Sequence, residues 1–348
     1  MIRIYKCPGC GFNLVYSGKS GAMVCSHCDT KLSVAEVEAA ANDGRNLMTG
    51  PEFTDDGTGK KELHCPSCGV TMFTGEDANT SATVCGSCDQ PSIIESRLNG
   101  EYRPKYIIPF AFDKKQAKEK FKAWSKKGKL TPSSFRTDAT LDKMKGVYIP
   151  AWFFSYTVDV AMTIEAEKKK TEKSASGEIT TEEEFLINLE TEAVYERVPF
   201  TAEETVTQEK LEILEPYDYS ALTDFALPYL SGYFAEKFHF TADELEEKVK
   251  DSLKKDLEEQ TKAGVTGYDS LKVRESNAFF RDRNVEYVLL PVWVLRYEYG
   301  RKKFPIFMNG QSGKIDGKLP VSMGKVLLLF GIVFAVVLLA LLIIGWLK

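Results

Sequence analysis

The sequence predicts an α+β fold, mainly antiparallel, with two cysteine-rich hairpins at its N-terminus and one long apolar helix at its C-terminus. Three observations carry that prediction. All eight cysteines lie in the first 88 residues, as four C-x-x-C pairs. Residues 104–320 mix aromatic-rich alternating segments with two amphipathic helical patterns. Residues 326–347 form the only long run without a charge. At 348 residues, 43% apolar, 27% charged and 11% aromatic, the chain has material for about two domains. General disorder and a small disulfide-stapled scaffold are thereby excluded. The 45 basic and 50 acidic residues give a net charge of −5, which recommends no polyanion partner.

The N-terminal cysteines come in two groups. Cys7 and Cys10 are followed after fourteen residues by Cys25 and Cys28, and Cys65 and Cys68 after sixteen by Cys85 and Cys88. Each C-x-x-C pair can set two thiolates on one tetrahedral ion, and a loop of that length folds back to deliver the second pair. Pro8 and Pro66 pre-set the turns, and Gly11 and Gly69 stand where a left-handed backbone is often needed. CPGCG…CSHCD against CPSCG…CGSCD is an internal repeat. The expectation is two four-cysteine zinc ribbons, over residues 1–41 and 63–100, holding two structural Zn2+ ions per chain. Four thiolates fill the shell and leave no position for a reactive water. Iron–sulfur ligation stays open on spacing alone. His27 and His64 lie beside ligand cysteines and are expected to be bystanders.

Between the ribbons, Ser33 with Glu36 signals a capped helix, and the Gly/Asp/Thr-rich stretch over residues 42–62 reads as a linker. Beyond the second ribbon, Asp113 with Gln116 caps a lysine-rich helix running to about Lys127, with Ala117, Phe121 and Trp124 on one face. Its lysines are expected to face anionic lipid, the acidic stretch of residues 161–215, or solvent. Thr241 with Glu244 opens another helix, in which Leu245, Val249, Leu253 and Leu257 recur every four residues. Thr157–Ile164 and Glu184–Val198 alternate as strands around a charged tip over residues 168–183. Val147-Tyr-Ile-Pro-Ala-Trp152 matches Val288-Leu-Leu-Pro-Val-Trp293, suggesting a duplicated strand motif or two sheet edges, because proline avoids central ladder positions. Residues 104–320 are expected to form one α+β domain.

The apolar run would make a helix about 33 Å long, enough to cross a hydrocarbon core of about 30 Å. Lys325 and Lys348 bracket it, and Trp346 sits at its far end. Six basic residues from Arg301 to Lys325 precede the run and only Lys348 follows, so the rest of the chain is expected in the cytosol. The N-terminus lacks the apolar core of a secretory signal. The expected location is the cytoplasmic membrane, single-pass.

No catalytic constellation emerges. Gly18-Lys19-Ser20 resembles the end of a phosphate loop, but Asn13 stands where the first glycine belongs. His239 stands alone, and no nucleophile, metalloprotease or dinucleotide fingerprint is found. The expectation is that the protein is not an enzyme.

Five stretches together, CPSCG…TSATVCGSCDQPSII, IIPFAFDKKQA, GVYIPAW, LPYLSGYFAEKF and NGQSGKIDGKLP, resemble a bacterial family with two TFIIB-type zinc ribbons, an α+β region and a C-terminal transmembrane helix. Its members are often labelled primosomal-helicase-like. The eight cysteines match the family's metal ligands; no Walker motif accompanies them, so helicase activity does not carry over. The resemblance implies a membrane anchor in phage-shock-like envelope-stress modules. Its partners there would be a phage-shock-protein-A-like protein, a flotillin-type (SPFH) or virion-core-like protein, and a second small membrane protein. The function expected is thus a membrane-anchored adaptor or scaffold built for protein–protein interaction. The alternative is a membrane-tethered nucleic-acid-binding protein related to replication or transcription factors. Against it, residues 1–100 hold 8 basic and 12 acidic side chains, the wrong sign for neutralising phosphate.

Overall fold

A computed structural model describes residues 1–50, 54–55, 61–74, 79–174 and 177–346. The fold is α+β with mostly antiparallel pairing. Two compact units emerge, one comprising Met1–Pro150, Val206–Lys237 and Leu289–Lys348, the other Ala151–Thr205 and Phe238–Val288.

The first unit begins with β1 (Ile2–Tyr5), the hairpin of β2 (Leu14–Ser17) and β3 (Ala22–Cys25), and the short β4 (Lys31–Leu32). Helix α1 (Val34–Asn42) follows, opened by the expected Ser33–Glu36 capping box. The stretch expected to be linker departs from that expectation at its start, while its residues 51–53 and 56–60 lie outside the described residues. It contains β5 (Leu47–Gly50), which pairs with β1 from Ile2↔Gly50 to Tyr5↔Leu47. The second cysteine group spans β6 (Thr54–Asp55), β7 (Lys61–His64), β8 (Thr71–Thr74), β9 (Thr80–Val84) and β10 (Pro91–Ile94). Strand β10 pairs with β1 through Ile2↔Ile94, and Arg3 holds Glu95 bidentately at 2.7 Å for both bonds. Ile2, Ile4, Leu63 and Ile94 then bury one another. The strands that flank the two cysteine groups therefore share a sheet and a core, whereas β2-β3-β4 and β6-β7-β8 form two separate three-stranded sheets.

Next come β11 (Tyr106–Ile107), α2 (Lys114–Ser125) and α3 (Asp138–Leu141). The Asp113–Gln116 capping box of α2 is present, and Ala117 and Phe121 are buried beneath it. Three of its lysines, Lys114, Lys118 and Lys122, are engaged by aspartates of the segment that follows. Lys114 Nζ donates to Asp142 O at 2.7 Å, Lys118 pairs with Asp142, and Lys122 pairs with Asp138 at 2.7 Å.

Strands β12 (Lys145–Ser174) and β13 (Gly177–Thr201) follow, then α4 (Gln208–Leu214), β14 (Thr223–Asp224), β15 (Phe234–Glu236) and α5 (Ala242–Gly264). The chain ends with β16 (Ser270–Tyr299), β17 (Lys302–Asn309), β18 (Ile315–Gly317) and α6 (Met323–Trp346). The strand order of the main sheet is β14-β11-β16-β12-β15-β9-β10-β1-β5, with β17 on β16 and β18 on β17. The matched proline-bearing motifs are thus neighbouring strands, not edges. Each proline sits where its strand changes partner. Pro150 lies between Tyr148↔Ala235 and Ala151↔Thr201; Pro291 follows the Ile108–Leu289 bond and precedes Val292↔Asn309. A missing N–H is tolerated at such a junction. In the first unit Phe110 stacks on Tyr233 at 4.3 Å and meets Tyr148 and Trp293 edge-on at 5.0 Å each, so these aromatics build core.

In the second unit β12 and β13 pair from Ala151↔Thr201 to Ser174↔Gly177. The expected charged tip is largely strand, because Lys168 faces Glu183 and Lys169 pairs with Glu182 at 2.8 Å across the ladder; residues 175–176 of that tip lie outside the described residues. Helix α5 carries the Thr241–Glu244 capping box. Its Leu245, Val249, Leu253 and Leu257 bury against Phe154, Tyr156, Val158, Val160, Met162, Ile164 and Phe200. The four-residue period of the helix and the two-residue period of β12 present matching apolar faces.

Helix α6 begins three residues earlier than the expected 326, with Ser322 Oγ accepting the Lys325 N–H at 3.4 Å. Met323–Ile344 is 22 residues long, its most apolar 18-residue stretch has mean hydropathy 3.4 with none of it buried, and the helix is long and apolar enough to span a membrane. Leu347 and Lys348, the expected end and flank, lie outside the described residues.

Candidate metal centres

Each cysteine group closes into one cluster. The sulfurs of Cys7, Cys10, Cys25 and Cys28 all lie within 4.8 Å of one another, as do those of Cys65, Cys68, Cys85 and Cys88. The closest approaches are 3.6 Å for Cys7–Cys28, 3.5 Å for Cys10–Cys25, 3.6 Å for Cys65–Cys88 and 3.8 Å for Cys68–Cys85. A tetrahedral ion with thiolates at about 2.3 Å sets sulfur–sulfur edges at about 3.8 Å. The donor sets match that size, so each cluster can hold a metal ion.

The backbone makes the clusters. Each C-x-x-C pair lies on a tight turn in which the residue after the second cysteine donates its N–H to the first cysteine's carbonyl. The bonds are Gly11 to Cys7 O (2.8 Å), Asp29 to Cys25 O (3.1 Å), Gly69 to Cys65 O (2.9 Å) and Asp89 to Cys85 O (3.0 Å). Each first cysteine in turn donates its N–H five residues ahead, to Phe12, Thr30, Val70 and Gln90 carbonyls. The donor at the turn's end is left-handed in all four, with φ of 72°, 56°, 74° and 54°. The glycines at 11 and 69 meet this need as expected. The aspartates at 29 and 89 meet it too, and sequence reasoning missed them. Asp tolerates the left-handed region better than most residues, and the repeated C-x-x-C-D was the available signal.

The surroundings split the thiols of each cluster: burial and the neighbouring sulfurs push Cys88 up to about 12 and Cys10 likewise, whereas one exposed partner in each cluster is pulled down. The Thr30 hydroxyl, 3.0 Å from Cys28 Sγ, together with the Thr30 N–H, pulls the Cys28 thiol down to about 6. The Val70 amide, with Cys88 beside it, pulls Cys68 down to about 7. The first cysteine of every pair is buried and the second is exposed, so each cluster sits at a surface with its inner half tied to the fold. Among the described residues no histidine or carboxylate joins either cluster. His64 Nδ1 lies 3.2 Å from the Thr71 hydroxyl, and His27 packs against Phe12. Gly18-Lys19-Ser20 forms the turn between β2 and β3 rather than the start of a helix.

The fold and its sites define a class: an α+β protein with two N-terminal four-cysteine metal centres and one C-terminal helix able to span a membrane. No family model matches the chain, and no solved structure does. Among curated proteins, the uncharacterized protein YdjG of Bacillus subtilis (strain 168) is 33% identical over 326 residues, which is 94% of this chain and 92% of the relative. The chain belongs to the same family as YdjG.

Proposed function

We propose that the protein is a non-catalytic, membrane-anchored adaptor whose two zinc ribbons dock partner proteins in the cytosol while α6 holds the assembly at the cytoplasmic membrane. The observation that carries this reading is the closed four-thiolate geometry of both clusters on a chain with a bare 22-residue apolar helix. Cys7, Cys10, Cys25 and Cys28 would hold one Zn2+, and Cys65, Cys68, Cys85 and Cys88 the other. With four thiolates on each ion, no coordination position remains for a substrate, and the ion's contribution is rigidity.

The knuckles supply a surface for the adaptor role. Phe12 and Val70 occupy the same place in the two ribbons, directly after the left-handed glycine, and both are exposed, at 48% and 42%. A large apolar side chain fixed at each exposed tip suits a protein contact better than a phosphate backbone, in line with the acidic balance of residues 1–100. The excess of basic residues before α6 supports the cytosolic orientation. The partners suggested by the family resemblance are a phage-shock-protein-A-like protein, a flotillin-type or virion-core-like protein and a second small membrane protein, within an envelope-stress response.

Crosslinking in intact membranes, followed by identification of the captured proteins, tests the reading. Phe12→Ser with Val70→Ser is expected to remove one or more partners while metal content stays at two per chain. An unchanged partner set in that variant overturns the docking role.

A further inference from the structure

The segment that leads into α6 is bonded to a loop 194 residues earlier in the chain, where Lys325 Nζ donates to Thr131 O at 2.6 Å. The Ser322 N–H donates to Leu130 O at 2.9 Å. The loop is itself braced from below. Arg136 Nη2 donates to Ser125 O at 2.6 Å and to Gly128 O at 3.0 Å. A Cβ at Gly128 would collide with Thr131 Oγ1 and Leu319 Cδ1, so the loop lies directly against the approach to the helix. Thr131 and Pro132 are buried.

Residues 126–131 (Lys-Lys-Gly-Lys-Leu-Thr) and 318–325 (Lys-Leu-Pro-Val-Ser-Met-Gly-Lys) thereby form one patch at the foot of α6. Its fourteen residues hold five lysines and no acidic side chain. Lys126, Lys127, Lys129 and Lys318 are exposed, and none is in an ion pair among the described residues. This separates them from Lys114, Lys118 and Lys122 of the adjoining helix, which the Asp142 carbonyl and the Asp138 and Asp142 carboxylates engage. Val321 and Met323, exposed and apolar, stand at the same foot.

We propose that this lysine collar binds the anionic headgroups of the leaflet that α6 enters, making anchoring selective for negatively charged lipid. The proposal rests on reading α6 as a membrane span. A span beginning at Met323 puts residues 318–325 at the headgroup level, and the bonds to Leu130 and Thr131 hold the loop lysines beside them. Headgroups at that distance lie within the screening length of about 8–10 Å. Each lysine near a negative leaflet adds a comparable increment of attraction, and an ammonium donates three hydrogen bonds to phosphate oxygens. Because the loop is already fixed by Arg136 and Ser322, little ordering is needed on contact. Val321 and Met323 would enter the interface between headgroups and acyl chains.

The test is lysine-by-lysine acetylation of the full-length protein with an amine-reactive ester, read by mass spectrometry. The protein is reconstituted in phosphatidylcholine bilayers or in bilayers with 30% phosphatidylglycerol, a probe composition of about one anionic lipid in three. Lys115, exposed at the far end of α2, is the internal reference. Labelling of Lys126, Lys127, Lys129 and Lys318 relative to Lys115 is expected to slow about tenfold in the anionic bilayer and to recover in high salt. A variant carrying Lys126→Gln, Lys127→Gln and Lys129→Gln is expected to keep its insertion and lose its enrichment of phosphatidylglycerol among co-purified lipids. Equal labelling in both bilayers, with the protein resistant to alkaline carbonate, overturns the collar alone. Extraction by carbonate overturns the collar together with the anchor.

Discussion

Replacing Gly18 by alanine tests how tightly the first ribbon is fitted to its own unit. Gly18 lies in the turn between β2 and β3, and a Cβ there would meet Phe112 N at 2.7 Å and Phe110 C at 2.8 Å, with Phe110 O closer still. All three are backbone atoms, so no side chain can swing aside. Ordinary van der Waals contact begins near 3.4 Å; the turn must therefore lift by several tenths of an ångström or the 110–112 segment must retreat. That segment is pinned, since Phe110 is packed among Tyr233, Tyr148 and Trp293, and the Ala111 N–H is bonded to Gly310 O at 3.0 Å. Overpacking against a fixed neighbour costs about 1–3 kcal/mol, and backbone on both sides places this case near 3 kcal/mol. Thermal unfolding of the detergent-purified protein should show a fall of roughly 6–10 °C. Zinc content should stay at two per chain, because no ligand or knuckle bond is touched. A midpoint within about 1 °C of wild type would refute the reasoning, since the contact would then be relieved without strain.

Other parts of the fold make three more expectations testable. Cys65→Ser with Cys68→Ser should halve bound zinc and expose Leu63, as measured by elemental analysis and protease sensitivity over residues 61–94; the site would lose a folding contribution on the order of 10–16 kcal/mol. Leu253→Ala, at a side chain 4% exposed in the core beneath α5, should destabilise the second unit by about 2–5 kcal/mol in denaturant titration while both metal centres stay loaded. Burial raises the Glu215 carboxyl above its ordinary 4.5, against the opposing bonds from Tyr219 Oη (2.7 Å) and the Tyr217 N–H (2.8 Å). A raised carboxyl stabilises the fold below the ordinary value and loses that contribution as pH rises through the raised one. Wild type should therefore lose stability relative to Glu215→Gln as pH rises above the ordinary carboxylate value, and a pH-independent difference in melting temperature would contradict this.

What was legible in the sequence is what local chemistry determines. The three capping boxes at Ser33, Asp113 and Thr241 need only a side chain and an amide three residues on, and all three are present. The four C-x-x-C pairs likewise carry their turn within five residues, so both clusters were visible as sites before any tertiary structure. Leu245, Val249, Leu253 and Leu257 showed the buried stripe of α5 because one helix face decides its own periodicity. What remained hidden depends on partners far away in sequence. Nothing near residues 47–50 reveals that β1 offers them an edge, so polar composition read as linker. The 168–183 stretch reads as a loop tip because its lysines and glutamates suit solvent, whereas the strand register sets Lys168 and Lys169 opposite Glu183 and Glu182 on one ladder. Pro150 and Pro291 suggested edges, since a change of strand partner at a single residue leaves no mark in sequence. The contact of residues 126–131 with the entry to α6 is of the same kind.

The central claim is that both cysteine clusters are filled by structural zinc in the folded, membrane-bound chain. The most direct measurement is elemental analysis of the full-length protein purified from membranes without added metal, paired with circular dichroism before and after a strong chelator. Two zinc ions per chain are predicted, with loss of folded signal as both are stripped. A preparation free of metal that keeps its full folded spectrum would contradict the claim.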